Sequence, residues 1–79
     1  MGHKKLEKRE PVSIEHNGKT YTGELIISGT RKLTFRVEYK GRTHPDSRSW
    51  GTDPEEQYNL RVMAQAHLVS LVFEVEGLG

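Results

Sequence analysis

His44, Asp46, Ser47 and Ser49 fall close together in the run GRTHPDSRSWGTDPEE, beside Arg42, Arg48 and the only tryptophan, Trp50. A hydrolase would use Ser47 or Ser49 as nucleophile, His44 as its base and Asp46 to orient the imidazole. The residue types fit that chemistry, but their adjacency does not. A triad is a spatial constellation, and neighbours in one irregular run rarely converge around an oxyanion site as well. The run is expected to be a connection: Asp46 and Ser47 after Pro45 favour turns, and Trp50 suits the open end of a small core. Its other use would be a contact surface for a partner, formed by Arg42, His44, Arg48 and Trp50.

The remaining histidines carry little chemistry. His3 belongs to a charged segment and His16 flanks a turn, and no His, Asp or Glu pair has the spacing of a metal site. His67 lies near the centre of an apolar helix face. A partly buried, hydrogen-bonded imidazole is expected there, with a ligand or pH-sensitive contact as the alternative. Gly77-Leu78-Gly79 lacks phosphate-loop spacing. No catalytic residue, metal site or cofactor is expected, and a core this small would not enclose a substrate pocket of the usual few hundred Å³.

The chain has 79 residues, which makes one domain near the lower end of what buries a core without covalent help. It has no cysteine, so disulfides and thiolate chemistry are excluded and the cytoplasm is the default compartment. No apolar run approaches the roughly 20 residues that span a bilayer. Residues 1–10, MGHKKLEKRE, are expected to form a flexible charged tail ahead of a single domain over residues 11–79. The net charge of +1 is unevenly spread: Lys and Arg outnumber Asp and Glu by eleven to six up to Ser49, and are outnumbered five to one after it.

The elements that would hold these residues can be placed from periodicity. Asn17-Gly18 supplies the two positive φ angles of a type I′ hairpin turn, pairing His16 with Lys19, Ile14 with Tyr21 and Val12 with Gly23. Tyr21, Gly23, Leu25 and Ile27 then alternate with polar positions, as do Leu33, Phe35, Val37 and Tyr39, the period of a strand buried on one side. A three-residue loop, Gly29-Thr30-Arg31, keeps both apolar sets on one face and pairs Ile27 with Leu33 and Leu25 with Phe35. The other face would be solvated, Ile26 included, with Glu24 across from Arg36. Gly23 leaves a dip for a bulky side chain of the covering layer, and Pro45 confines a fourth segment to the sheet edge.

Asp53, Pro54 and Glu56 mark the start of a helix, with Glu56 at the third position of a capping box. Leu60, Met63, Ala64, Leu68, Leu71 and Val75 gather with His67 on the face predicted to meet the sheet. Gly77 suits a left-handed C-terminal cap with Leu78 folding back toward Phe73. Glu74 and Glu76 are unfavourable at that end of the dipole, and LVSLVFEV is rich in β-branched residues. A shorter helix followed by a strand over Leu68–Val75 is therefore the alternative. The fold class is α+β, a three-stranded antiparallel meander with a possible fourth edge strand, covered on one face by the C-terminal helix. This order loosely resembles the sheet-plus-helix part of double-stranded RNA-binding domains. Asp53-Pro54-Glu55-Glu56 stands where such a domain presents lysines, so the resemblance implies architecture and no function.

Val62, Ala66, Val69 and Phe73 form a second apolar stripe, roughly opposite the first, expected to serve self-association, with cover inside the monomer by Leu78, Trp50 or the tail as the alternative. The sequence therefore points to a noncatalytic binding or assembly module acting through protein contacts, as a homodimer or with an unidentified protein partner. Weak nucleic-acid binding through the tail with Arg31, Lys32, Arg42 and Arg48 is the alternative. In that case titration with duplex and single-stranded oligonucleotides should show sequence-tolerant binding that falls steeply with salt, and deletion of residues 1–10 should remove most of it.

Overall fold

The computed structural model describes residues 6–78. Asn17 and Gly18 adopt φ of 50° and 78°, closing the hairpin between β1, Leu6–His16, and β2, Lys19–Gly29. Ile14 pairs with Tyr21 and Val12 with Gly23, as the turn dictates. The next strand, β3, runs Leu33–Tyr39, and a second turn of the same kind follows, with Lys40 at φ 46° and Gly41 at φ 83°. It leads into β4, Arg42–Pro45. The four strands form one antiparallel sheet in the order β1-β2-β3-β4, one strand more than the meander read from the sequence. The helix α1, Pro54–Glu76, covers one face, so the fold is α+β.

Strand β1 begins earlier than expected. Leu6–Glu10, assigned to a flexible tail, pairs with Leu25–Gly29. Their charged side chains suggested solvation, but the far half of β2 offers backbone partners that pay no heed to side-chain charge. Residues 1–5 of that tail lie outside the described residues. Charge and a proline on an outer strand are also common devices against edge-to-edge pairing, and β1 carries both, in Lys8, Arg9 and Pro11.

The β2–β3 register is a further correction. Gly29 pairs with Leu33, Ile27 with Phe35 and Leu25 with Val37, leaving Thr30-Arg31-Lys32 as the loop. The loop still has three residues, so the apolar face is preserved while the ladder shifts by two. Gly29 carries the strand end at φ 137° with the Lys32 carbonyl packed against its Cα side, a position no side chain could occupy. On the open face Glu24 consequently lies across from Glu38, and Ile26 from Arg36. Glu24 takes its cation from the other neighbour, Arg9, at 2.7 Å. Ile26, expected in solvent, is fully buried. Its cross-strand neighbours are Arg9 and Arg36, whose aliphatic stems are placed to cover it.

On the helix side, Leu25, Ile27, Leu33, Phe35, Val37 and Tyr39 meet Leu60, Ala64, Leu68, Leu71 and Val72, with Trp50 closing one end. Leu68 settles on Gly23: a Cβ there would stand 2.7 Å from the Leu68 Cδ1 and 2.7 Å from the Glu38 carbonyl. Among the described residues no helix is long and apolar enough to cross a membrane.

Two substitutions check this packing. Phe35→Ala should cost about 3–5 kcal/mol in urea denaturation, as truncation of a buried aromatic does. Gly23→Ala should cost about 1–3 kcal/mol through overpacking against Leu68 and the β3 backbone.

Candidate functional site

The run containing His44 and Asp46 is a second, interrupted pairing with β3. The Asp46 amide donates to the Phe35 carbonyl at 2.9 Å, and Trp50 exchanges both backbone bonds with Leu33 at 2.8 Å. Ser47, Arg48 and Ser49 bow outward between those two points and are exposed. The Asp46 carboxylate organises the bow: Oδ1 accepts from the Arg48 amide at 2.7 Å and from the Trp50 indole at 3.2 Å. Its Oδ2 meets His67 Nε2 at 2.8 Å, the two side chains being 7% and 16% exposed. His44 stacks on His67 with ring centroids 4.2 Å apart, and Phe35 lies beyond at 5.7 Å.

Burial pushes the Asp46 carboxyl up, but the hydrogen bonds from His67, the Arg48 amide and Trp50 together hold it below the usual aspartate range. The serine arrangement considered from the sequence does not assemble: Asp46 takes His67 as its partner instead of His44, and both carboxylate oxygens are engaged. The pair fastens the edge segment to the middle of α1, as expected of a hydrogen-bonded His67. Among the described residues no group of three or more His, Asp or Glu is placed to hold a metal ion.

Arg42, His44, Arg48 and Trp50 do not present one surface. Trp50 is buried in the core and Arg48 lies over its ring at 4.4 Å. Arg42 pairs with Glu74, and His44 is occupied by His67. Trp50 is thus corrected from contact residue to core residue, and its indole reaches Asp46 for the hydrogen bond that burial requires. Arg31 and Lys32 are exposed in the β2–β3 loop.

The end of α1 accounts for its own adverse charges. Glu76 accepts from the Tyr39 hydroxyl and from Lys40 Nζ, both at 2.7 Å, and Glu74 takes Arg42. The Glu76 carboxylate raises the pKa of Tyr39 and of Lys40, while Lys40 and Tyr39 lower that of Glu76. Opposite-sign partners on the sheet offset the dipole, so one helix continues to Glu76. It closes with Gly77 at φ 71° and the Leu78 amide bonded to the Phe73 carbonyl at 3.0 Å. At the other end the Asp53 carboxylate accepts from the Glu56 amide at 2.9 Å. The Glu56 side chain turns to the Gly51 amide, outside the capping-box pattern.

Among the described residues, nothing covers the outward face of the helix. Val62 is 45% exposed and Val69 37%, Ala66 is exposed, and Phe73 is half-buried with its ring edge-on to His16 at 4.9 Å. Tyr58, 70% exposed, extends the stripe by one turn; its spacing of four residues before Val62 is the sequence signal for that extension. Met63, expected on the sheet, is exposed, and Val72 is buried. Polar ties set this rotation. Arg61 grips the Glu10 carboxylate through two bonds, at 3.0 and 3.2 Å, and Gln65 reaches the Ser13 carbonyl. His67 holds the opposite flank. An open hollow of about 480 Å³ borders the stripe where Pro11 and Val12 face Tyr58 and Val62. A more polar one of about 610 Å³ lies by Tyr39, Lys40 and Glu76.

Removing the central carboxylate tests the fastening. Asp46→Ala strands His67 and the Trp50 indole and should cost about 1–3 kcal/mol at neutral pH. Because the folded Asp46 pKa is depressed, its contribution is complete above the ordinary aspartate value of about 3.9 and is lost as pH falls through the lower folded value. Urea midpoints measured from pH 7 to pH 2 should therefore fall less steeply below about pH 4 in the variant than in the parent. No protein-family model, no curated protein and no solved structure matches the chain.

Proposed function

We propose that the chain is a small noncatalytic binding and assembly module that acts through protein contacts and associates with itself. The observation that carries this is the stripe Tyr58, Val62, Ala66 and Val69, ending at Phe73, on the side of α1 turned from the sheet. The other face of the sheet offers no comparable patch. It presents Thr20, Thr22, Glu24, Thr34, Arg36 and Glu38, polar and mixed in sign. Contiguous exposed apolar surface of this kind marks a contact site. The two titratable clusters, around Asp46 and around Glu76, are occupied with fastening the sheet to the helix. A two-fold homodimer is the simplest closed assembly that covers the stripe.

Analytical ultracentrifugation should show a dimer at micromolar concentration, and Val69→Glu should convert it to a folded monomer with an unchanged circular dichroism spectrum. A parent protein that stays monomeric at several hundred micromolar would overturn self-association.

A further inference from the structure

The order of residues along the exposed stripe says how two copies meet. Tyr58, Val62, Ala66, Val69 and Phe73 read nearly the same in both directions: aromatic, valine, alanine, valine, aromatic. At about 1.5 Å of rise per residue, Val62 and Val69 stand roughly 5 Å on either side of one midpoint. Tyr58 and Phe73 stand roughly 11 Å from the same point, with Ala66 almost on it. A two-fold axis through that point, perpendicular to the helices, sets Val62 against the copy's Val69 and Tyr58 against the copy's Phe73. Ala66 then faces its own copy, and the smallest side chain of the stripe falls where the helix axes approach most closely.

The charges agree with that direction. Glu55 is exposed at the N-terminal end of the stripe. The other end is bordered by His16, which packs on Phe73, and by Lys19, whose charge acts on Glu76. Antiparallel copies bring each Glu55 toward the other's Lys19, whereas parallel copies would set Glu55 against Glu55 and Lys19 against Lys19. Helix dipoles are likewise favourably arranged only in the antiparallel pair.

We infer that the partner for this face is a second copy of the chain, docked by antiparallel pairing of α1 about a two-fold axis beside Ala66, with the two sheets outermost. This rests on the self-association proposed above and adds its direction and register. With axes about 8–9 Å apart, the Ala66 Cβ atoms of the two copies come within roughly 4 Å, the separation a disulfide spans. Val62 and its own copy are held roughly 10 Å apart along the axis, beyond disulfide reach.

The chain has no cysteine, so single-cysteine variants report this geometry without background. Under mild oxidation with diamide, Ala66→Cys should give disulfide-linked dimer more than about tenfold faster than Val62→Cys or Val69→Cys alone. An equimolar mixture of Val62→Cys and Val69→Cys should cross-link at a rate close to that of Ala66→Cys. Each variant is also sedimented in reduced form. If the reduced variants are dimeric but Val62→Cys and Val69→Cys each link to themselves as fast as their mixture does, the antiparallel register is overturned and self-association stands. A monomer in sedimentation, with no cross-link from any variant, overturns both.

Discussion

A helix with apolar residues on two sides lies on a sheet that can cover only one of them, and most of this molecule follows from how that conflict is met. The sheet takes the side with Leu60, Ala64, Leu68, Leu71 and Val72, completing a core that also holds Trp50. Among the described residues no element covers the other side: the four strands lie in the single sheet, and the segment after β4 is pinned to β3. Val62 and Val69 stay in contact with water.

Which side is covered is decided by polar groups. Exchanging Met63 for Val72 at the edge of the buried arc takes only a modest turn of the helix, and apolar burial is nearly indifferent to it, since both are apolar. Hydrogen bonds are directional, and three ties flank the core: Arg61 to Glu10 and Gln65 to Ser13 on the β1 side, His67 to Asp46 on the β4 side. Between them they leave one rotation in which every buried polar side-chain atom among the described residues has a partner. The same logic accounts for Glu74 and Glu76, which oppose the helix dipole when α1 is considered alone and find cations on the β3–β4 turn when it is docked.

Such fastening also bears on the residues with the most suggestive chemistry. An aspartate bonded to a histidine, with a second histidine stacked on that ring, is the kind of cluster that catalysis employs. Here Asp46 uses both oxygens to hold an irregular segment against its own sheet and helix, and the nearby serines point away into solvent as part of the bow. Both Asp46 oxygens are thus engaged inside the molecule, by the Arg48 amide, the Trp50 indole and His67.

Much was legible from sequence alone because it depends on neighbours in the chain. Asn17-Gly18 dictated the first hairpin and its register, since two positive φ angles leave one tight turn available. Period-two alternation assigned the buried face of β2 and β3, and Asp53-Pro54 and Gly77 marked both ends of α1. The exposed stripe was visible in Val62, Ala66, Val69 and Phe73. Tertiary structure alone decided what depends on partners distant in sequence. The two-residue shift of β2 against β3 preserves the apolar face, so alternation could not distinguish it; Gly29, at φ 137° with the Lys32 carbonyl where a Cβ would stand, permits it. The strand character of Leu6–Glu10 depends on what β2 offers across the ladder, and the burial of Val72 in place of Met63 depends on the helix rotation. The meeting of Asp46 with His67 spans 21 residues, and no local spacing can encode it because it exists only once α1 lies across the sheet.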